Sequence, residues 1–254
     1  MHNLSRKDDF MGTYTFFTAG CSAALSQAVS QLQHAGYTFS DEPGDHITHL
    51  LLPVPSLFPD GSIRGGEKLN ELLEKLPSGI CIIGGNLPSL PQYRVTDLLQ
   101  DPLYLAENAY ITAHCAVRLM MEKLPTSLRG CSILVIGWGR IGKCLAALLK
   151  RMEANVTVAA RKETDRAILH ALGYPAILPE EIDAGDFRVV FNTAPVTVPY
   201  HLNMDCLKID LASVQGISGT DVIQARGLPG KDAPEASGNL IARTILRLLK
   251  EEHR

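Results

Sequence analysis

The sequence is short of several things, and each shortage narrows what the chain can be. No window approaches the ~18 uninterrupted apolar residues that a membrane-spanning helix needs, so no membrane partner is expected. The opening MHNLSRKDDFMG carries no apolar run after its charges, and with no secretory signal to read the expectation is a cytoplasmic protein. Lys and Arg total 24 against 27 Asp and Glu, a net charge of -3. The basic residues stand in ones and twos, which leaves no field for nucleic acid. The six cysteines, Cys21, Cys81, Cys115, Cys131, Cys144 and Cys206, include no CxxC pair. Free, mostly buried thiols are expected rather than a disulfide framework. His46 and His49 lie close together with no third ligand nearby in sequence, so no metal site is expected. Internal repeats and low-complexity tracts are also missing.

What remains is ordinary globular material, 46% hydrophobic and 20% charged over 254 residues, enough for two modest domains. Tyr14–Thr18, Thr48–Leu52 and Ile80–Gly84 read as short strands, separated by segments long enough for crossover helices. Ala23–His34 has Leu25, Ala28, Val29 and Leu32 at helical spacing, with Gly36 as a stop. Leu103–Glu122 is free of Gly and Pro and apolar on more than one face, which predicts a long buried helix connecting two bodies. Beyond it, strands are expected near Ser132–Ile136, Asn155–Ala160, Pro175–Ile177, Arg188–Asn192, Leu207–Leu211 and Val222–Ala225. Ala236–Glu251 closes the chain as an amphipathic helix.

The fold class is therefore α/β: a Rossmann doubly wound parallel sheet plus a smaller amino-terminal α/β domain. The expected boundaries are 1–104 for the amino-terminal domain, 105–123 for the connector helix and 124–236 for the dinucleotide-binding domain. The 237–254 helix is expected to pack back on the first.

The strongest local signal is Gly137-Trp138-Gly139-Arg140-Ile141-Gly142, which follows the strand SILVI and opens a helix with Ile141, Leu145, Leu148, Leu149 and Met152 inward. Gly137 permits a tight turn, Gly139 lets backbone approach a pyrophosphate, and Gly142 lets helix and strand pack closely. The helix start offers unpaired N–H groups and the positive end of its dipole to the phosphates. Trp138 either covers the pyrophosphate or packs against the connector. The next strand, VTVAA, ends in Arg161-Lys162 with no carboxylate. An NAD site usually keeps an Asp or Glu there for the ribose hydroxyls, whereas two cations suit a 2′-phosphate, so NADP is the expected cofactor. Thr193, Ala194 and Pro195 close the fourth strand, and Asp210, Ala212 and Ser213 close the fifth. Both loops sit where open α/β sheets bind ligands, Asp210 either orienting the ribose or bonding backbone.

Gly227-Leu228-Pro229-Gly230-Lys231-Asp232-Ala233-Pro234, followed by Ala236-Ser237-Gly238, resembles the carboxyl-terminal signature of the A subunit of dipicolinate synthase. GWGRIGK at 137–143, AAR at 159–161, NTAP at 192–195 and IDLAS at 209–213 add to the match. The resemblance implies an NADP-dependent oxidation of dihydrodipicolinate, a small dicarboxylate, to dipicolinate during sporulation, with a second, flavoprotein-like subunit for its partner. Lys231 could then grip a carboxylate. His114, on the connector, is the histidine best suited to act as a base, a packed core histidine being the alternative. The chain departs from the family at Val214-Gln215-Gly216, where an Arg-Pro-Gly-Gly type of loop is usual. The competing readings are a 2-hydroxy-acid dehydrogenase-like enzyme and a non-catalytic protein that binds a nucleotide within a larger assembly. Homo-oligomerisation stays open.

Overall fold

The computed structural model describes residues 14–184, 186–196, 200–202 and 205–251. The chain divides into two compact units, one of Met1–Asn108 with Gly230–Arg254 and the other of Ala109–Pro229. The first unit opens with β1 (Thr15–Thr18), α1 (Ala23–His34), β2 (Thr38–Ser40), β3 (His49–Leu51), α2 (Leu69–Leu73), β4 (Cys81–Gly84) and β5 (Arg94–Asp97). Helix α3 (Pro102–Lys123) leads out of it. The second unit contains β6 (Ser132–Ile136), α4 (Arg140–Arg151), β7 (Asn155–Ala159), α5 (Glu163–Ala171), β8 (Ala176–Ile177) and β9 (Val189–Asn192). It continues with β10 (Tyr200–His201), β11 (Leu207–Asp210), β12 (Ile217–Ser218) and β13 (Val222–Gln224). Helices α6 (Leu228–Asp232) and α7 (Pro234–Glu251) end the described chain; residues 252–254, the tail of the expected closing helix, lie outside the described residues.

In the first unit the five strands are parallel in the order β2-β1-β3-β4-β5, the sequence of strands found in flavodoxin-like sheets. Ser22 caps α1 by accepting a hydrogen bond from the Leu25 amide at 3.1 Å, as a residue of its type does at an N-cap. The helix buries Ala24, Leu25, Ala28 and Leu32, a single stripe at helical spacing. Helix α7 packs on α1 within this unit. A side chain at Gly238 would run into the Ala24 carbonyl and Gln27, so only glycine allows this approach. Gln27 donates to Asn239 at 2.9 Å across the pair, and Arg247 reaches Asp101 at 2.5 Å.

His49 is the unusual member of this sheet. It is only 1% exposed, lies between Phe16 and Tyr14 with both ring centroids at 4.9 Å, and its Nδ1 sits 2.8 Å from Thr48 Oγ1. Its Nε2 is buried without a hydrogen-bond partner among the described residues. Burial, helped by the nearby charge of Arg94, pushes the imidazole down from 6.5 to about 4. Between those two values the unfolded chain binds a proton that the folded unit refuses, so stability is full above 6.5 and is lost as pH falls towards 4. Acidification from pH 7 to pH 5 should cost about 2 kcal/mol through this one group. Urea melts at both pH values should show a clearly smaller loss for His49→Phe than for the parent; equal losses would show that His49 is not the group responsible.

The second unit carries six parallel strands in the order β13-β11-β9-β6-β7-β8. Read from β8, this is the doubly wound order of dinucleotide-binding sheets, with the reversal of direction between β6 and β9. Ile133, Leu134, Val135, Val189, Val190 and Phe191 are all fully buried, as strands covered on both faces require. A separate parallel pair, β10 with β12, is absent from the sequence expectation. The inward face of α4 is Gly142, Leu145, Ala146 and Leu149, whereas Met152 is 37% exposed; the expected stripe is displaced by one position because the helix begins its contact at Gly142. Helix α3 is not buried on all sides either, since Leu103, Tyr110 and Met121 are exposed. No described helix is long and apolar enough to cross a membrane.

Candidate dinucleotide-binding site

The turn from β6 into α4 shows why three glycines stand where they do. Gly137 has φ +100, a conformation that side chains disfavour, and a methyl there would come within 2.9 Å of Ala194 Cβ and Thr193 Oγ1. A methyl at Gly142 would be driven into the Gly137 carbonyl oxygen. Gly139 is different. It is the N-cap of α4, no side chain caps the helix there, and its own Cβ position faces open space. The first N–H groups of the helix have no acceptor within it, and no acidic residue stands in the first turn, so the end keeps its affinity for an anion.

A cavity of about 300 Å³ opens beside this turn, at the carboxyl ends of the strands. Gly137, Trp138 and Gly139 line it from the turn, Arg161 and Lys162 from the end of β7, and Thr193, Ala194 and Pro195 from the end of β9. Thr193 is fixed by donating from Oγ1 to the Ile136 carbonyl at 2.9 Å. The strand end that carries Arg161 is fixed from below, because Arg166 Nη1 donates to the carbonyls of Ala160 and Arg161, both at 2.8 Å. The two cations themselves are exposed, free of burial cost and available to an anion. Trp138 packs against Tyr174 with centroids 5.9 Å apart, and Lys143 Nζ lies 5.8 Å from the indole.

Other residues reach the cavity that the sequence pattern does not point to: Asp165, Pro179, Val196 and Tyr200. Asp165 corrects the view that no carboxylate stands at the β7 end. It lies on the first turn of α5, four residues after Arg161, and the helix folds it back to the same wall. Its signal was the α5 start itself, where an acidic residue four positions on from a strand end returns to that end. Burial raises the Tyr200 hydroxyl above its ordinary range, with Arg161 close enough to oppose the rise and Glu180 to add to it.

Of the two roles expected for Asp210, bonding backbone is the one the structure shows. The residue is fully buried, and four N–H donors occupy its carboxylate. Oδ1 accepts from Asn192 Nδ2 and the Ala212 amide, both at 3.0 Å. Oδ2 accepts from the amides of Gly216 at 2.6 Å and Ile217 at 3.0 Å. With its acceptor capacity filled, it holds the loops after β9 and β11 instead of offering an oxygen to a ribose. Ala212 is buried beside it and Ser213 is exposed; neither lines the cavity.

The remaining expected residues stand apart from the cavity wall. Arg140 and Ile141 begin α4 and do not line the cavity. His114 is exposed on α3 and packs edge-on against Tyr110 at 4.6 Å, so it is not a core histidine. Lys231 is exposed on α6.

No family model matches the chain. The A subunit of dipicolinate synthase from Bacillus subtilis (strain 168) is 25% identical over 257 residues, spanning 87% of this chain and 86% of the relative. The crystal structure of the same subunit from Bacillus halodurans gives a TM-score of 0.82 at 20% identity, covering 94% of this chain and 98% of that one. Salmonella D-lactate dehydrogenase shares the fold at greater distance, with a TM-score of 0.55, 13% identity, and 94% and 97% of the two chains covered. The chain is therefore similar over most of its length to the A subunit of dipicolinate synthase, and it has the Rossmann-like α/β fold of that subunit and of the dehydrogenase structures.

Proposed function

We propose that the protein is an NADP-dependent oxidoreductase that converts dihydrodipicolinate to dipicolinate in the cytoplasm of a sporulating cell, as one subunit of a synthase with a flavoprotein-like partner. The observation that carries the cofactor half is the cavity in which the uncapped start of α4 and the exposed pair Arg161 and Lys162 share one wall system. The substrate half rests on the homologue's name and on the GLPGKDAP stretch at 227–234.

The α4 amides and the small Gly139 would hold the pyrophosphate. Arg161 and Lys162 would hold the 2′-phosphate, the guanidinium by two parallel hydrogen bonds. When bound, the oxidised nicotinamide accepts the hydride that aromatising a dihydropyridine ring must lose. For the chain's own residues that leaves a proton to accept and two carboxylates to bind. His114, exposed on α3, is proposed for the first task, since an imidazole nitrogen can accept a proton, and Lys231 for part of the second.

Asp165 favours one alternative, NAD, because a carboxylate near the adenosine ribose accepts from its free hydroxyls and repels a 2′-phosphate. Binding measurements separate the two cofactors. Trp138 is the single tryptophan of the chain and lines the cavity, so its fluorescence reports binding directly. NADP+ should quench it at lower concentration than NAD+, and Arg161→Asp should move the preference towards NAD+ by about ten- to a hundredfold, the worth of a hydrogen bond between charged groups. Tighter NAD+ binding by the parent protein would assign control to Asp165. For the substrate, NADPH absorbance is followed with dihydrodipicolinate, with and without the co-expressed partner; inactivity in both mixtures would overturn the proposed reaction.

A further inference from the structure

Tyr200 stands out in the cavity because nothing so far gives it a task. Among the described residues, it and Trp138 are the only aromatic side chains on the wall, and they lie at different places along it. Trp138 belongs to the phosphate turn. Tyr200 comes from the segment after β9 and lies near enough to Arg161 to feel its charge. A dinucleotide whose pyrophosphate sits on the α4 start and whose adenosine ribose meets the β7 end must direct its adenine onward past Arg161. The cavity wall includes the buried Pro179, the half-buried Val196 and Tyr200, two compact apolar groups and one ring, and of these the Tyr200 side chain lies near Arg161.

The backbone that carries the ring is also firmly mounted. The Tyr200 amide donates to the Gly216 carbonyl at 2.8 Å, β10 pairs Tyr200 with Ile217, and Ser218 Oγ donates to the Tyr200 carbonyl at 3.1 Å. Gly216 and Ile217 in turn donate to the fully buried carboxylate of Asp210. The small β10–β12 sheet is thus anchored at a buried ionisable group and presents one aromatic side chain to the cavity. A ring carried on backbone that is already held leaves less to be ordered on binding.

We infer that Tyr200 is the stacking platform for the adenine of the bound dinucleotide. The inference rests on the dinucleotide reading given above but not on the choice between NADP and NAD, since both carry the same base.

The test uses the intact protein and two half-cofactors, 5′-AMP for the adenosine end and nicotinamide mononucleotide for the other, beside NADP+ and NAD+. Base–aromatic stacking predicts a loss of roughly tenfold or more in affinity for 5′-AMP and for the preferred dinucleotide in Tyr200→Ala and Tyr200→Leu. Tyr200→Phe, which keeps the ring, should bind within about twofold of the parent, stacking needing only the π-face. Nicotinamide mononucleotide should bind all four proteins alike. Unchanged 5′-AMP affinity in Tyr200→Ala overturns the inference, as does a Tyr200→Phe protein as weak as Tyr200→Ala. A parallel loss of nicotinamide mononucleotide would mark Tyr200 as a structural residue only and overturn it too. A parent protein that binds neither dinucleotide sinks the dinucleotide reading itself and this inference with it, whereas a parent that binds while Tyr200→Ala is indifferent sinks this inference alone.

Discussion

Gly142→Ala should fold poorly and bind no measurable dinucleotide, whereas Gly139→Ala should fold normally and still lose binding. The two glycines sit three residues apart in one turn but face different neighbours. At Gly142 the added methyl would meet the carbonyl oxygen of Gly137 and, at 2.9 Å, Thr193 Oγ1. The first of these is backbone and has no rotamer to escape into, so β6 and α4 must separate. Overpacking of a tight interior costs about 1–3 kcal/mol where side chains can yield, and a backbone neighbour puts this case at or above the upper end. At Gly139 nothing lies within 4 Å of the methyl position, and the backbone there, φ -79 and ψ -171, is extended and open to any residue. Its stability should stay within about 0.5 kcal/mol of the parent, as for a substitution that meets nothing. The methyl instead occupies the space through which a pyrophosphate would approach the helix start, and a loss of at least about tenfold in dinucleotide affinity follows, one hydrogen bond to a charged group being worth that much. Thermal melts with and without NADP+ read both effects. A Gly139→Ala protein that still gains full protection from the cofactor would remove the pyrophosphate from this turn.

Asp210→Asn should destabilise the second unit by about 2–5 kcal/mol, the cost of leaving two buried donors facing an amide NH2. Two N–H groups point at each carboxylate oxygen, and an Asn side chain offers only one oxygen. Either orientation therefore satisfies one pair and opposes the other. If the displaced pair is Gly216 and Ile217, the β10–β12 sheet loses its anchor; if it is Asn192 and Ala212, the loop after β9 does, since Asn192 Oδ1 also accepts from the Ala194 amide at 3.2 Å. The urea midpoint should fall, and cofactor affinity with it. A ribose-binding role makes the opposite forecast, because an Asn oxygen still accepts from a hydroxyl: stability would hold while affinity changed modestly. That outcome would restore Asp210 to the cofactor and remove it from the loop.

The difference between the glycine turn and Asp210 reflects what can be read in a linear chain. The glycine turn was legible because its physics is local: a buried strand, three residues that spare Cβ atoms at fixed offsets, and a helix, all within about twenty residues. The central strands of the second unit's main sheet were legible for a related reason. Strands covered on both faces read as near-continuous apolar runs, and SILVI and VVFN are visible as such. The edges hid themselves. Thr38–Ser40 and Arg94–Asp97 flank the first sheet with partly exposed, polar sequences, and short polar edges are how sheets avoid further pairing. Tyr200–His201 and Ile217–Ser218, at two residues each, are too short to show any period.

Asp165 and Tyr200 were hidden by distance instead. Asp165 returns to the β7 end only through the pitch of α5, and Tyr200 enters only because a two-stranded sheet, tied to Asp210, turns it towards Arg161's strand end.

By itself, then, the order of residues settles that a parallel α/β chain is built here and that one glycine turn joins a buried strand to a helix start, since both follow from spacing over a few residues and from side-chain volume. Only the folded molecule decides that the buried carboxylate of Asp210 serves the loops, that Asp165 joins the cations, and that an aromatic ring waits beside them. The physical reason is that hydrogen-bond satisfaction and shared cavities are properties of groups far apart in the chain, and their assignment exists only once the backbone has brought them within about 3 Å of one another.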